Sequence, residues 1–392
     1  MKILSVNAGS SSLKFQMYEM PEEKVLISGL FERIGIDNSM YTIKLNGEKI
    51  KKDAVLKDHS DAVKILCEEL IANKVIESLD EIEAVGHRMV HGGDKYPKST
   101  LITDEVIEVA ESLVELAPIH IPANLIGVRA FQEIVPNATP VAVFDTSFHQ
   151  TLPKEAYLYA LPYEWYEKYG VRKYGFHGTS HKFVSQRMNE ILGRTDTKII
   201  TCHIGSGGSI AAVLNGESVD TSMGFTPNAG IVMGTRSGDI DASIIPFIAK
   251  KLDISASEVD NMLSKKSGLL GISERFSDSR DIEDGIGNND EKCILAQDIY
   301  VRRVVEYIAK YYVLLGGCDA IVMTAGVGEN SILTRKQILD KLACLGVVVD
   351  EERNNVRGKE ALITKDSSKI PVWVIPTDEE LMIARDTYNL AK

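Results

Sequence analysis

Two segments far apart in the chain, "ILSVNAGSSSLKFQMY" (3–18) and "IITCHIGSGGSIAAVL" (199–214), are written in one grammar. Each has an apolar run, a polar last residue, a Gly/Ser turn and a second apolar run. In each a further strand candidate follows, near 25–31 and 217–222. Short apolar runs bounded by Gly and Ser read as strands joined by tight turns. A β-hairpin unit used twice constrains the fold more than any other feature. It implies an old duplication, with one copy in each of two domains facing a common cleft. Such a turn aims several backbone N–H groups one way, making a nest for an anion. Serine hydroxyls add donors, glycine lets a phosphate approach the backbone, and Lys14 can add charge. Either copy alone also reads as an ordinary hairpin turn. A third glycine-rich turn, "MTAGVGENS" (323–331) after an apolar strand, favours the phosphate reading. Neither GxxxxGK[ST] nor GxGxxG occurs, so P-loop and Rossmann readings fail.

Between these turns, helical spacing links Val63, Leu66 and Leu70, then Val106, Val109, Leu113 and Leu116 up to Pro118. A longer helix runs from Ile294 through Val301, Val305, Ile308 and Tyr312 to Leu315, closed by Gly316-Gly317. Strand-like runs are Lys2–Asn7, Leu13–Tyr18, Val141–Phe144, Ile199–His203, Ser209–Leu214, Ala320–Thr324 and Val372–Ile375. Strands and helices mixed along the whole length indicate an α/β protein, and 392 residues suffice for two domains. The aromatics and prolines of 146–170 mark the change of domain. A net charge of −12 argues against sequence-independent nucleic-acid binding. No stretch reaches the roughly 18 apolar residues of a membrane span, and the apolar run after Lys2 stops at Asn7, too early for a signal peptide. Five scattered cysteines without a CxxC pair read as reduced buried thiols, and the chain as cytoplasmic.

Other segments carry groups that a passive fold does not need. "AVGHRMVHGGDKY" (84–96) puts Arg88 just past a strand end, beside His87 and His91, whose spacing imitates a metal pair only if a helix could pass the Gly-Gly turn. "VAVFDTSFH" (141–149) sets Asp145 at the C-terminal end of a buried strand, where α/β active sites gather. "RKYGFHGTSH" (172–181) flanks His177 with Phe176 and Gly178. "MGTRSGDID" (233–241) holds Arg236 among small residues that leave its guanidinium fork free. "VIPTDEELMIARD" (374–386) leads a strand into a helix whose first acids serve its dipole or hold Mg²⁺. Taken singly each is more simply structural. Together two arginines, an aspartate and a histidine beside phosphate loops make a phosphoryl-transfer kit.

In order along the chain, "NAGSSSLKF", "GHRMVHGG", "LAPIHIP", "FDTSFH", "YGFHGTSH", "TSMGFTP", "MGTRSGDID", "TAGVGENS" and "PTDEEL" resemble the acetate kinases, the acetokinase branch of the actin/sugar-kinase superfamily. The resemblance implies a duplicated actin-like ATPase/sugar-kinase fold with an interdomain active-site cleft. It divides the chain into an N-terminal domain, 1–148, joined by a C-terminal helix at about 383–392, and a nucleotide-binding and dimerisation domain, 149–382. It implies ATP + acetate ⇌ ADP + acetyl phosphate with Mg²⁺, Mn²⁺ able to substitute, by a homodimer. Carried onto this sequence, Ser10, Ser12 and Lys14 form the first phosphate hairpin and His203, Gly205, Ser206 and Gly207 the second. Asn7 lies near the metal and Glu379 holds it. Arg88 and Arg236 grip acetate and the moving phosphoryl group, His177 donates to that group, His120 borders it, and Asp145 orients the site. Val90, Ile119, Phe176 and Pro227 enclose the acetate methyl. Asp278, Ser279, Arg280, Gly326, Val327 and Asn330 surround the adenosine.

Three positions depart from the family pattern: Ser206 and Ile121 where Asn is usual, and Ser279 where an aromatic residue is common near the adenine. Ser279 and Ser206 put nucleotide selectivity, including ATP over pyrophosphate, in question. The near alternative is a propionate or butyrate kinase of the same branch. The distant one is an actin-like or chaperone-like ATPase, which has no use for two arginines facing a small anion.

Overall fold

The computed structural model describes residues 1–118 and 120–392. The chain divides into two compact units, Met1–Phe148 with Asp378–Lys392, and His149–Thr377. Residues 378–382 thus go with the N-terminal residues rather than with 149–377.

The first unit carries β1 (Lys2–Ala8), β2 (Ser12–Glu19), β3 (Lys24–Glu32), β4 (Met40–Leu45), β5 (Glu48–Asp53), β6 (Ala84–Met89), β7 (Thr100–Leu101) and β8 (Thr139–Phe144). They form one sheet in the order β5-β4-β3-β2-β1-β6-β8-β7. β1 pairs antiparallel with β2 and parallel with β6, which runs parallel to β8. The two-residue period of a strand sends Leu4 and Val6 to one face and Ile3 to the other. Leu4 and Val6 join Leu66 and Phe131 of the helices His59–Ala72 and His120–Ile134. Ile3 packs with Ala84 and Ala384 of the terminal helix Glu379–Ala391. Strands covered on both faces read as the near-continuous apolar runs seen here. β5, "EKIKKD", is exposed throughout and ends the sheet with lysines, which discourage edge pairing. The β4–β5 hairpin turns at Asn46-Gly47, both at positive φ, the pair that favours two-residue hairpins.

The second unit carries β9 (Lys198–Ile204), β10 (Gly208–Leu214), β11 (Glu217–Thr221), β12 (Ala320–Thr324), β13 (Ala361–Leu362) and β14 (Val372–Val374), in the order β11-β10-β9-β12-β14-β13. Its pairings, two antiparallel then two parallel, reproduce β3-β2-β1-β6-β8 of the first unit. The repeated hairpin is therefore the start of a repeated five-strand topology. The long helix runs Glu291–Leu314. Asp290 caps it, accepting from the N–H groups of Lys292 and Cys293, and Gly316 and Gly317 at positive φ end it. Its Tyr300, Val304 and Ile308 pack on Ile200, Cys202 and Ile321.

Some expectations need correction. Arg88 lies within β6, one residue before its end, rather than past it. "TAGVGENS" is not a loop: β12 passes directly into a short helix, Ala325–Asn330. Of the cysteines, Cys67, Cys202 and Cys293 are buried but Cys344 is exposed. Among the described residues no helix is long and apolar enough to cross a membrane.

Candidate active site

In the first unit the ends of β1, β6 and β8 bring three sequence candidates together. Arg88 meets Asp145 through both forks of its guanidinium, Nε to Oδ1 at 3.1 Å and Nη2 to Oδ2, and Nη1 donates to Asn7 Oδ1 at 3.2 Å. Asp145 is buried at 2% exposure. Burial opposes the Arg88 charge, yet Asp145, with Glu379 beyond it, outweighs that cost and holds the guanidinium above its ordinary value. Arg88 is thus a guanidinium whose position the strands set, with its charge matched by Asp145.

Lys14, opposite Asn7 in the hairpin register, pairs with Glu380. Gly9 N–H closes the turn on the Ser12 carbonyl at 2.8 Å, leaving Ser10 exposed at its tip and Ser12 half-buried. His59 Nε2 reaches the Gly9 carbonyl at 2.7 Å and pins the turn to the first helix. Asp378 caps the terminal helix through the Leu381 N–H, so the dipole reading holds for it. Glu379 stands next in that first turn, its carboxyl pushed up by burial and pulled down by Arg88. Val90 is buried, its N–H bound by Asn124 Oδ1 at 3.0 Å, while Asn124 Nδ2 holds the Ala8 carbonyl at 2.8 Å. His120 is exposed as the first residue of its helix. Ile119 lies outside the described residues. Ile121 is a core position at 0% exposure, which accounts for an apolar residue there.

In the second unit the β9–β10 turn gathers further sequence candidates. A Cβ placed on Gly207 would stand 3.5 Å from Arg236 Nη1 and 3.6 Å from His177 Nε2, so glycine keeps open the space these groups border. Arg236 donates to the Pro227 carbonyl at 3.2 Å and touches Met233 Sδ, so its fork is tethered on one side rather than free. It faces no carboxylate among the described residues, and burial alone lowers its affinity for its proton. His177 precedes the helix Gly178–Leu192 with φ +57°, a left-handed conformation uncommon outside glycine. Its ring stacks on His203, centroids 4.0 Å apart. Phe176 is buried beside it.

Gly205 and Ser206 also line a cavity of about 400 Å³ shared with Asp278, Ser279, Arg280, Gly326, Val327 and Asn330. Asp278 caps the helix Ser279–Gly287 and is held down to about 2 by hydrogen bonds from Arg280. The same cavity includes Ser277, Glu283, Tyr300 and Arg357, which sequence reasoning missed. Arg357 donates to the Asn330 carbonyl at 2.6 Å. No local motif marks it, because a loop near β13 carries it there. Asn124 also lacked a signal beyond a polar residue on an apolar helix.

The donor set suits magnesium. Among the described residues no three His, Cys, Asp or Glu side chains gather to cage a metal. Magnesium asks for only one or two carboxylates and keeps its waters. A half-buried carboxyl whose ionisation is disfavoured, as in Glu379, gains from a nearby cation.

Comparison with known proteins adds an independent line. A family model described as the acetokinase family matches residues 2–385. The curated acetate kinase of Bacillus subtilis (strain 168) is 54% identical over 393 residues, covering 100% of both chains. That of Bacillus cytotoxicus is 54% identical over 391 residues, covering 99% of this chain and 98% of its own. The crystal structure of Porphyromonas gingivalis acetate kinase aligns with TM-score 0.95 and 46% identity over 100% of both chains. A propionate kinase from Francisella tularensis aligns with TM-score 0.94 and 43% identity over 99% of both.

Proposed function

The chain belongs to the acetokinase family, and from that premise we propose that it phosphorylates acetate reversibly, ATP + acetate ⇌ ADP + acetyl phosphate, by direct in-line transfer. The single observation that carries the reading is Arg236, a half-buried guanidinium that faces no carboxylate among the described residues, set beside His177 across the open space at Gly207. A half-buried cation with no carboxylate facing it among the described residues is suited to an anion.

The chemistry follows from charge. Acetate is ionised near neutral pH, so the attacking oxygen needs no general base. The obstacle is repulsion between two anions, which positioned cations and donors relieve. Arg88 and Arg236 take acetate and the moving phosphoryl group, His177 donates to that group, and Asp145 holds Arg88 in place. His120 borders the transfer. The nest of Gly205, Ser206 and Gly207 with His203, and the hairpin of Ser10, Ser12 and Lys14, cradle the phosphates. The 400 Å³ cavity takes the adenosine. Glu379, with Asn7 nearby, would hold Mg²⁺, whose charge neutralises the phosphate oxygens. Val90, Phe176 and Pro227 are the residues we assign to the methyl group.

The test is hydroxamate formation with MgATP, acetate and hydroxylamine. Acetyl hydroxamate should accumulate in step with ADP, and ATP turnover indifferent to acetate would sink the reading. Propionate is the second reading, favoured by the Francisella relative; a methylene in an apolar pocket discriminates by only about 1–3 kcal/mol. Relative kcat/KM for acetate, propionate and butyrate ranks them. We place the enzyme in the cytoplasm, where ATP and ADP are at hand. We assign it a homodimer, supported by the helix Ile244–Leu252, which buries none of its residues and exposes Ile244, Phe247 and Leu252.

A further inference from the structure

Ser209, the second residue of β10, joins two imidazoles. Its Oγ lies 2.9 Å from His177 Nδ1 and 2.7 Å from His181 Nε2, and His181 Nδ1 lies 2.7 Å from Thr201 Oγ1. Ser209, His181 and Thr201 are all at 0% exposure. Burial holds His181 well below the ordinary imidazole range, with His149 and His203 adding to the effect, so its ring is neutral and carries one N–H.

A neutral imidazole has one donor and one acceptor, and a hydroxyl has one proton. The chain can therefore run in only two directions. In the first, Thr201 O–H donates to His181 Nδ1, His181 Nε2–H donates to Ser209 Oγ, and Ser209 O–H donates to His177 Nδ1. Every proton on the three buried groups is then used. In the second, His181 donates to Thr201, whose own proton finds no acceptor among the described residues. Orphaned buried donors are rare because their desolvation goes uncompensated, so the first direction wins.

We propose that Thr201, His181 and Ser209 form a directional relay that holds His177 as the Nε2–H tautomer, ready to donate to the transferring phosphoryl group. Thr201, His181 and Ser209 are its positioning residues. A parallel pair supports the arrangement. Thr377 O–H donates to Ser180 Oγ at 2.8 Å, leaving the Ser180 proton for His203 Nδ1, also 2.8 Å away. The two stacked imidazoles, 20° from parallel, are thus set in the same tautomer by hydroxyls on the same ring nitrogen.

The role in phosphoryl transfer rests on the proposed kinase reading; the tautomer does not. Nitrogen-15 NMR of histidine-labelled full-length protein without ligands reads it directly, His177 being assigned by the resonances lost in His177→Gln. The expected spectrum at pH 7–8 has Nε2 protonated and Nδ1 bare. Thr201→Val, close in shape but without the hydroxyl, should give a mixture of tautomers, whereas Thr201→Ser should keep the wild-type pattern. Ser209→Ala should also mix the tautomers and lower kcat about 10-fold or more while KM for acetate holds. A wild-type spectrum with Nδ1–H overturns the relay, as does an unchanged His177 pattern in Thr201→Val. Absence of acetyl hydroxamate with the Nε2–H pattern present would instead defeat the kinase reading alone.

Discussion

Arg88 and Arg236 are one residue type in two electrostatic settings, and substitutions should separate them. Arg236 makes one contact to a carbonyl and one to a thioether. Arg236→Ala should lower kcat by roughly 10²–10⁴ with little change in stability. Arg88→Ala should lower kcat comparably but also strip buried Asp145 of its guanidinium, costing roughly 3 kcal/mol. Arg88→Lys should recover little, because an ammonium cannot make the two-pronged contact. Steady-state kinetics with urea unfolding of each variant checks both, and equal stability losses would contradict the contrast. Residue identity and spacing were enough to single out Arg88, Asp145, His177 and Arg236 in the sequence. The sequence did not disclose that Asp145 locks Arg88, because that pairing joins residues from β6 and the end of β8.

At the scale of elements, the Arg236 segment has no regular structure and is held by its neighbours. Gly234 N–H donates to the Ser206 carbonyl at 3.0 Å, and Ser267, Leu269 and Leu270 N–H groups donate to the carbonyls of Thr235, Met233 and Gly234, each at 2.9 Å. The tie works because Gly268, at φ +62°, lets two backbones meet. A Cβ there would come within 2.1 Å of the Met233 carbonyl oxygen and 2.7 Å of that of Arg236. Gly268→Ala should therefore destabilise by about 1–3 kcal/mol and displace Arg236, lowering kcat more than KM for ATP. Circular dichroism melts with kinetics test this; a variant with normal kcat would mean Arg236 is held by something else. Sequence pattern located the hairpins and helices with a clear period. It missed β4 and β5 despite Asn46-Gly47, since six exposed residues of β5 carry no apolar alternation. It read 325–330 as a turn because its glycines mask a helix that tertiary contacts complete.

For the whole molecule, buried histidines set the acid limit. His87 is pushed down to about 3 and His149 to about 4 by burial, and His181 lower still than ordinary imidazole. Unfolded, each titrates near 6.5. Below that pH the unfolded chain takes up protons that the folded chain refuses, so stability falls as pH drops from about 6.5 toward 4. The slope approaches about 1.4 kcal/mol per pH unit for each histidine, and the effect is absent above pH 7. Urea midpoints across pH 5–8 measure it, and a flat profile would show these rings accept protons in place. The proposed dimer has its own test: Phe247→Asp, placing a charge on an exposed apolar helix, should shift sedimentation toward the monomer.

The sequence alone determined the α/β class and the repeated hairpin and named the residue types of the proposed chemistry, because strand pattern, turn glycines and ionisable groups are local properties. Tertiary structure alone decided which carboxylate holds Arg88, what fills out the 400 Å³ cavity and which way the histidine relay runs. Those depend on distances between residues remote in sequence, and on the exclusion of water that makes an unpaired donor or charge costly.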